Sequence, residues 1–338
     1  MSSRSPLILE SNRRSFLVGA LVAGGGALGL SACGSGSPSG AAAESPGSGG
    51  ALESVTLGLI PITDVAPVYL GIQQGYFRDA GIDLTVQMAQ GGAAILPAVM
   101  TGDFLFGYSN VVSLLIAADK GLPIAVVSNG SSSTNTPGED VTEVAALPAS
   151  GISGPLDLVG KTVAVNALNN FADVTIRNSV ERAGGDPDGV KFVEMPYPNM
   201  PAALERGDVD AAWTTEPFRT QILDAGGRIV ASPMTDLAED FDSAYYFTSR
   251  ATLEEKPELV AGFRDALARS FTYAMEHEDE VRAIVQDYAK VTPELAETVV
   301  MSVWTPRINR DALAALGSAA AQYGVLSKEP DADALISE

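Results

Sequence analysis

Short apolar runs alternate with helix-spaced segments along most of the chain, and the helical segments repeatedly close on glycine. Strands are expected at 55–60, 82–88, 104–108 and 123–128. Helical spacing covers 67–80, 93–101 and 111–120, with Gly81, Gly102 and Gly121 at the ends. The pattern then restarts, with strands at 161–165, 190–195, 209–213 and 228–231 and helices at 172–183, 200–206 and 219–225. A strand followed by a helix and a further strand gives parallel neighbours, with helices covering the faces. The expected class is therefore α/β, with mostly parallel sheets flanked by helices. Ala98-Val99-Met100-Thr101-Gly102-Asp103 is echoed by Ala203-Leu204-Glu205-Arg206-Gly207-Asp208. In both, a helix ends on Gly and Asp leads into a buried strand, so one unit occurs twice and makes two lobes.

Residues 139–147 and 244–249 look extended and read as two crossings between the lobes. That divides the body into one lobe of 52–143 plus 247–338 and a second lobe of 144–246. Helices at 257–275, 279–289, 293–303 and 310–323 carry periodic apolar faces and brace the lobes.

Lys and Arg number 21 against 42 Asp and Glu, a net charge of −21. A chain this acidic lacks the clustered cations that nucleic-acid binding needs. One Cys and one His exclude a zinc cluster and a disulfide within the chain. That Cys sits in a telling place. Residues 1–32 read as a signal peptide: Asn12, Arg13 and Arg14 precede a short apolar stretch from Phe16 to Leu30, too short to span a membrane. Arg13-Arg14-Ser15-Phe16-Leu17 resembles a twin-arginine signal. Leu30-Ser31-Ala32-Cys33 resembles a bacterial lipobox, which implies cleavage before Cys33 and lipidation of its sulfur. Gly, Ser, Pro and Ala then dominate to residue 51, giving a flexible tether over 33–51.

Four stretches carry a family resemblance: Ala66-Pro67-Val68-Tyr69-Leu70-Gly71 with Gly75-Tyr76-Phe77, residues 98–106, residues 157–164, and residues 203–218. In this order, behind such a leader, they resemble the solute-binding proteins of ABC importers. The class is that of nitrate, taurine and aliphatic sulfonates, which also contains binders of thiamine-precursor pyrimidines. The resemblance implies a type 2 periplasmic-binding-protein clamshell with two crossover strands as hinge. It implies a monomer without a cofactor, lipid-anchored at the outer face of the cytoplasmic membrane, that closes on one small molecule and delivers it to a membrane permease and its ATPase. Relatives on this fold include enzymes, a pyrimidine synthase dependent on His and Cys and a desulfinase with a catalytic Cys. Here Cys33 is expected to be lipidated, and His277 lies in the polar run Met275-Glu276-His277-Glu278-Asp279. No nucleophile–base pair is available in the usual way, so binding without catalysis is expected.

In open α/β sheets, ligands sit beyond the carboxyl ends of the strands, where helix N-termini offer free N–H groups. Five strand ends supply candidates: Thr63 and Asp64; Gly91 and Gly92, which let backbone approach a ligand closely; Ser109 and Asn110; Asn166 and Asn170 from an Asn-rich helix entry; and Thr215 and Glu216. Thr63 or Asp64 could equally be a helix cap. Glu216, matching the family's acidic position before Pro, could equally hold the hinge. Tyr197 could flank the cleft, and one of Tyr245 and Tyr246 should face it. None of these loops contains Arg or Lys, and Arg219 and Arg250 read as solvated. Asp64 and Glu216 add negative charge instead. The balance favours a neutral or cationic ligand with N–H groups, such as a pyrimidine or an amine, over an anion.

Overall fold

The computed structural model of the protein describes residues 51–337. The signal, the lipobox with Cys33 and all but the last residue of the expected tether lie outside them. The strands, in chain order, are β1 (Glu53–Leu59), β2 (Ile82–Met88), β3 (Phe106–Asn110), β4 (Ile124–Ser132), β5 (Thr142–Ala146), β6 (Thr162–Val165), β7 (Lys191–Glu194), β8 (Ala211–Thr215), β9 (Arg228–Ala231) and β10 (Asp242–Ser249). They form two five-stranded sheets, ordered β2-β1-β3-β10-β4 and β7-β6-β8-β5-β9. In each sheet the fourth strand runs antiparallel to both neighbours. The remaining pairings are parallel. That odd strand enters from the other lobe: β5 follows the first-lobe strands, and β10 follows the second-lobe strands. The architecture is a two-lobed clamshell.

The chain passes from the first sheet to the second through 133–141 and returns through 232–241. The two connections lie side by side. Ser133 N donates to Phe241 O at 2.8 Å, and Asn135 exchanges side-chain and backbone hydrogen bonds with Asp240 at 2.7 Å each. The stretches expected as crossings are the strands β5 and β10, each entering its sheet directly from a connection. Both are buried along their whole length.

Glycine sets helix ends where expected. The helices Gly92–Thr101 and Met200–Arg206 stop on the left-handed Gly102 (φ 81°) and Gly207 (φ 73°), which supports the reading of a repeated unit. The helix expected over 67–80 is instead two, Ala66–Gln73 and Tyr76–Asp79, broken at Gly75. Short helices Pro233–Leu237 and Arg250–Glu255 are additional.

The C-terminal segment packs on both lobes. The helix Pro257–Glu276 turns Val260, Phe263, Leu267 and Phe271 inward, and the Phe263 ring stacks on Phe106 with centroids 3.9 Å apart. The helix expected over 293–303 ends at Thr298. The chain then runs extended as a strap, bridging Ser132 at Val303 and accepting from Asn129 N at the Pro306 carbonyl. The last long helix, Arg310–Gln322, packs against Val111–Asp119 of the first lobe and Phe171–Arg182 of the second. Among the described residues, no helix is long and apolar enough to cross a membrane.

Candidate functional site

A cavity lies between the sheets, at the carboxyl ends of the parallel strands. The first lobe contributes Ile60, Ile62, Asp64, Gly92, Tyr108, Asn110, Ser243 and Ala244. The second contributes Thr142, Asn166, Phe171, Tyr197, Trp213 and Thr215. About 360 Å³ is free of atoms, counting the open mouth. It adjoins an outer vestibule of about 640 Å³, which shares Gly92, Asn110 and Asn166 and adds Gln90, Gly91, Glu194 and Pro196. Neither wall carries Arg or Lys.

Close packing brings a helix N-terminus to this cavity. A Cβ on Gly92 would lie 2.6 Å from Ser109 Cα, and one on Gly107 would lie 2.6 Å from Ile95. Glycine at these points lets the helix Gly92–Thr101 rest directly on β3, with its positive end at the cleft. The helix Val111–Asp119 also begins there. Its cap is Asn110, whose Oδ1 accepts from Ser113 N at 2.9 Å, leaving the amide Nδ2 for other partners.

Asp64 is the charged group of the inner wall, and it caps no helix. Its Oδ2 accepts from Tyr108 OH and from Ser131 Oγ, each at 3.3 Å. Its Oδ1 accepts from Ser302 Oγ of the strap, and its backbone carbonyl accepts from Trp304 Nε1 at 2.8 Å. Burial pushes its carboxyl above the usual range, and the three hydroxyl donors pull it partly back. The network continues through Ser131 to Ser243, 2.6 Å away. The opposite wall is aromatic. Phe171 meets Trp213 edge-on at 5.3 Å, and Tyr197 lies 6.1 Å from the indole. The indole Nε1 of Trp213 is buried and meets no protein acceptor, although Trp213 is only 2% exposed. Leaving such a donor unpaired costs about 1–3 kcal/mol.

The lobes touch beside the cavity. Thr63 N donates to the Glu216 carbonyl at 3.3 Å. Ser113 and Asn170 face each other, with Oγ to Oδ1 at 3.2 Å and Nδ2 to Oγ at 3.1 Å. A Cβ on Gly91 would lie 3.9 Å from Asn166 Nδ2.

The structure therefore gathers five of the ten sequence candidates on the inner wall: Asp64, Gly92, Asn110, Asn166 and Thr215. Gly91 joins the vestibule. Ser109 is buried beneath Gly92. Thr63 is buried next to Asp64, and its carbonyl accepts from Tyr288. Asn170 caps its helix through Phe171 N at 2.8 Å and joins the lobes through Ser113. Glu216 lies at the hinge. Trp213, Phe171, Tyr108, Thr142 and Ser243 reach the wall without having been candidates. Neither Tyr245 nor Tyr246 lines the cavity: both are buried further along β10, and it is the start of that strand, Ser243 and Ala244, that reaches the wall.

Arg219 is not solvated. It is 4% exposed and anchors the hinge. Its Nε donates to Glu143 at 3.1 Å, its Nη1 to Glu216 at 3.2 Å, and its Nη2 to the Gly138 carbonyl at 2.6 Å. Glu143 also accepts from Gly138 N at 2.7 Å and Ser232 Oγ at 2.8 Å. Glu216 also accepts from Val300 N of the strap at 3.1 Å. Both crossings and the strap thus converge on one buried ion cluster. Burial raises both carboxyls above their usual range, and Arg219 opposes the shift.

His277 lies outside the cavity, stacked on Tyr273 with centroids 3.9 Å apart. Its Nδ1 is 2.8 Å from the Tyr273 carbonyl.

Similar proteins share this architecture. The alkanesulfonate-binding protein SsuA of Xanthomonas axonopodis pv. citri superimposes with a TM-score of 0.71 at 16% identity, over 84% of this chain and 98% of that one. A formylaminopyrimidine-binding protein of Halalkalibacterium halodurans is 24% identical over 216 residues, 63% of each chain. The match thus spans under two thirds of that relative's length. A 4-amino-5-hydroxymethyl-2-methylpyrimidine phosphate synthase of Aspergillus parasiticus is 24% identical over 249 residues, 69% of each chain. Binding proteins and enzymes both occur among such relatives. The family model for NMT1/THI5-like proteins matches residues 62–281, and with the two-lobed fold around it the chain belongs to the NMT1/THI5-like family.

Proposed function

We propose that this chain is the solute-capturing component of an ABC importer. One small molecule binds between the lobes, its contacts to both sides favour closure, and a membrane permease with its ATPase receives the closed form. The observation that carries the reading is the convergence of polar and aromatic side chains from both sheets on one cavity at strand ends. The ligand-binding set proposed comprises Asp64, Gly92, Asn110, Asn166 and Thr215, with Thr142, Trp213 and Tyr197. The moving bodies are β1–β4 with β10 and the C-terminal segment against β5–β9, with the boundaries in the connections 133–141 and 232–241, a few residues before the 143/144 and 246/247 boundaries expected from the sequence. The protein works as an exported monomer, held at the outer membrane face by lipid on Cys33.

Calorimetry and thermal shift against nitrate, taurine, alkanesulfonates, pyrimidines and amines test the reading. Saturable binding that weakens at least about tenfold in Asn166→Ala supports it, and no binding by any solute class refutes it. Cys33→Ala should release the protein into the medium; membrane retention would count against the anchor.

An enzyme on the same fold is the second reading, favoured by the resemblance to the phosphate synthase. His277 lies away from the cavity, and Cys33 is outside the described residues. Turnover of a bound pyrimidine would decide for catalysis.

A further inference from the structure

We propose that Ser302 is a positioning residue that ties the cavity carboxylate of Asp64 to the closure of the lobes, through a circuit of bonds completed by Val300, Glu216 and Thr63. The inference rests on the binding-protein reading and specifies how its site senses closure.

The circuit can be traced bond by bond. Glu216 follows β8 of the second lobe, and two backbone N–H groups from outside that lobe clasp it. Thr63 N donates to its carbonyl at 3.3 Å, and Val300 N donates to its Oε1 at 3.1 Å. Thr63 precedes Asp64 in the chain. Val300 lies two residues before Ser302, whose hydroxyl donates to Asp64 Oδ1. The path from Glu216 through Thr63, Asp64, Ser302 and Val300 therefore returns to Glu216, and both of its interlobe bonds end on that one residue. Thr63, Asp64, Ser302 and Glu216 are at most 3% exposed, so a bond lost here is not readily replaced by water.

Two features give Ser302 its role. The first is lack of slack. Two residues of extended chain reach only about 7 Å, so a displacement of Val300 with Glu216 arrives at Ser302. Just beyond, the strap is pinned, where Val303 bridges Ser132 and Trp304 Nε1 donates to the Asp64 carbonyl at 2.8 Å. The second is the quality of the contact. The other donors to Asp64, Tyr108 and Ser131, stand at 3.3 Å each, long for a hydroxyl. Burial raises the Asp64 carboxyl, and of the hydroxyls that oppose the rise Ser302 counts most. Opening that draws Glu216 away from Val300 frees this donor and loosens the carboxylate on the cavity wall. A solute held by Asp64 in its clasped geometry then favours the closed lobes, and closure tightens the solute in return.

The test breaks the circuit at different bonds. Ser302→Ala removes the hydroxyl, and Glu216→Ala removes the acceptor of Val300 N. Melting temperatures are read first, without solute. Because both substitutions open one circuit, Ser302→Ala should lower the melting temperature less than about half as much in the Glu216→Ala background as in wild type. Equal shifts in the two backgrounds would overturn the inference. Val300→Pro removes only the N–H, behind an extended Val299 at ψ 142° that suits a following proline; it takes the place of Glu216→Ala if that variant fails to fold. Trp213 and Trp304 are the two tryptophans of the chain, so Trp213→Phe leaves Trp304 as the reporter on the strap. Its quenching by acrylamide should rise when the bond between Glu216 and Val300 is removed, and an unchanged signal would count against transmission along the strap. Cytosine, taurine and nitrate are then titrated by calorimetry. Whichever binds wild type should bind at least about tenfold more weakly to Ser302→Ala. It should also weaken in Val300→Pro, although Val300 lies off the cavity wall, and wild-type affinity in both variants would overturn the coupling. Positive melting and quenching results with none of the three solutes bound would weaken the binding-protein reading and leave the circuit standing.

Discussion

Replacing Arg219 by Met should expose how the hinge is held. The guanidinium stands between Glu143 and Glu216, whose side chains are 0% exposed, and is itself only 5% exposed at the side chain. Taking it away leaves two buried carboxylates with dipolar partners only and strips Gly138 O of its donor. Breaking a buried pair from one side typically costs about 3–5 kcal/mol, because the surviving charge stays desolvated. For a body of this size that corresponds to a melting temperature lower by roughly 6–15 °C. The loss has a pH signature. Without the cation, both carboxyls rise further above their unfolded values. A raised acid binds its proton more readily when folded, so the variant should regain stability as pH falls from 7.5 to 5.5. Neutralising the survivors should also restore it: Arg219→Met with Glu143→Gln and Glu216→Gln should recover most of the loss. Urea unfolding followed by circular dichroism at both pH values measures all of this. A deficit below about 1 kcal/mol, or one unchanged by pH and by the two Gln substitutions, would refute the idea that the cluster's charges are mutually dependent.

Gly92→Ala would drive a methyl against Ser109 backbone, so the helix must lift from β3; a loss of about 1–3 kcal/mol together with weakened ligand binding is expected, and wild-type affinity by calorimetry would contradict the placement. Asn170→Ala removes a helix cap and the reciprocal bond to Ser113; a stability loss of about 1 kcal/mol and an affinity loss of under about tenfold are expected, whereas abolished binding would place Asn170 against the ligand. The wild-type protein should be more stable at pH 5 than at pH 7, because burial raises Asp64, Asp140, Glu143, Glu216 and Asp242, and lifts Asp173 to about 6; a lower urea midpoint at pH 5 would count against those shifts.

Where local pattern decides the outcome, the sequence was a faithful guide. Alternating strands and glycine-stopped helices gave both sheets, and the strand-end rule reached Asp64, Gly92, Asn110, Asn166 and Thr215. The misreadings share a physical cause, which is long-range pairing. Arg219 looks like a surface residue two positions past Pro217, yet its partner Glu143 comes from β5, 76 residues earlier in the chain. Glu216 and Arg219 three apart in a chain with few charges were the available hint. Tyr245 and Tyr246 alternate as the strand rule requires, but nothing local tells that β10 is flanked on both edges and covered on both faces. Trp213 was legible as a buried strand residue; that its indole would lack an acceptor depends on how the two lobes meet. The strap after Thr298 gave no signal of its own beyond Pro306, because its extended path is set by Asp64, Ser132 and Glu216.

That strap changes what counts as a working unit. The recognisable family segment stops at residue 281, but Ser302 and Val300, which hold one carboxylate in each lobe, lie beyond it. A fragment cut at the end of the recognisable segment would keep both jaws and lose the stitch that fastens them to a common spine. Boundaries for expression, fusion or grafting onto another carrier should therefore be drawn past Arg310–Gln322, where the thread has already been tied on both sides.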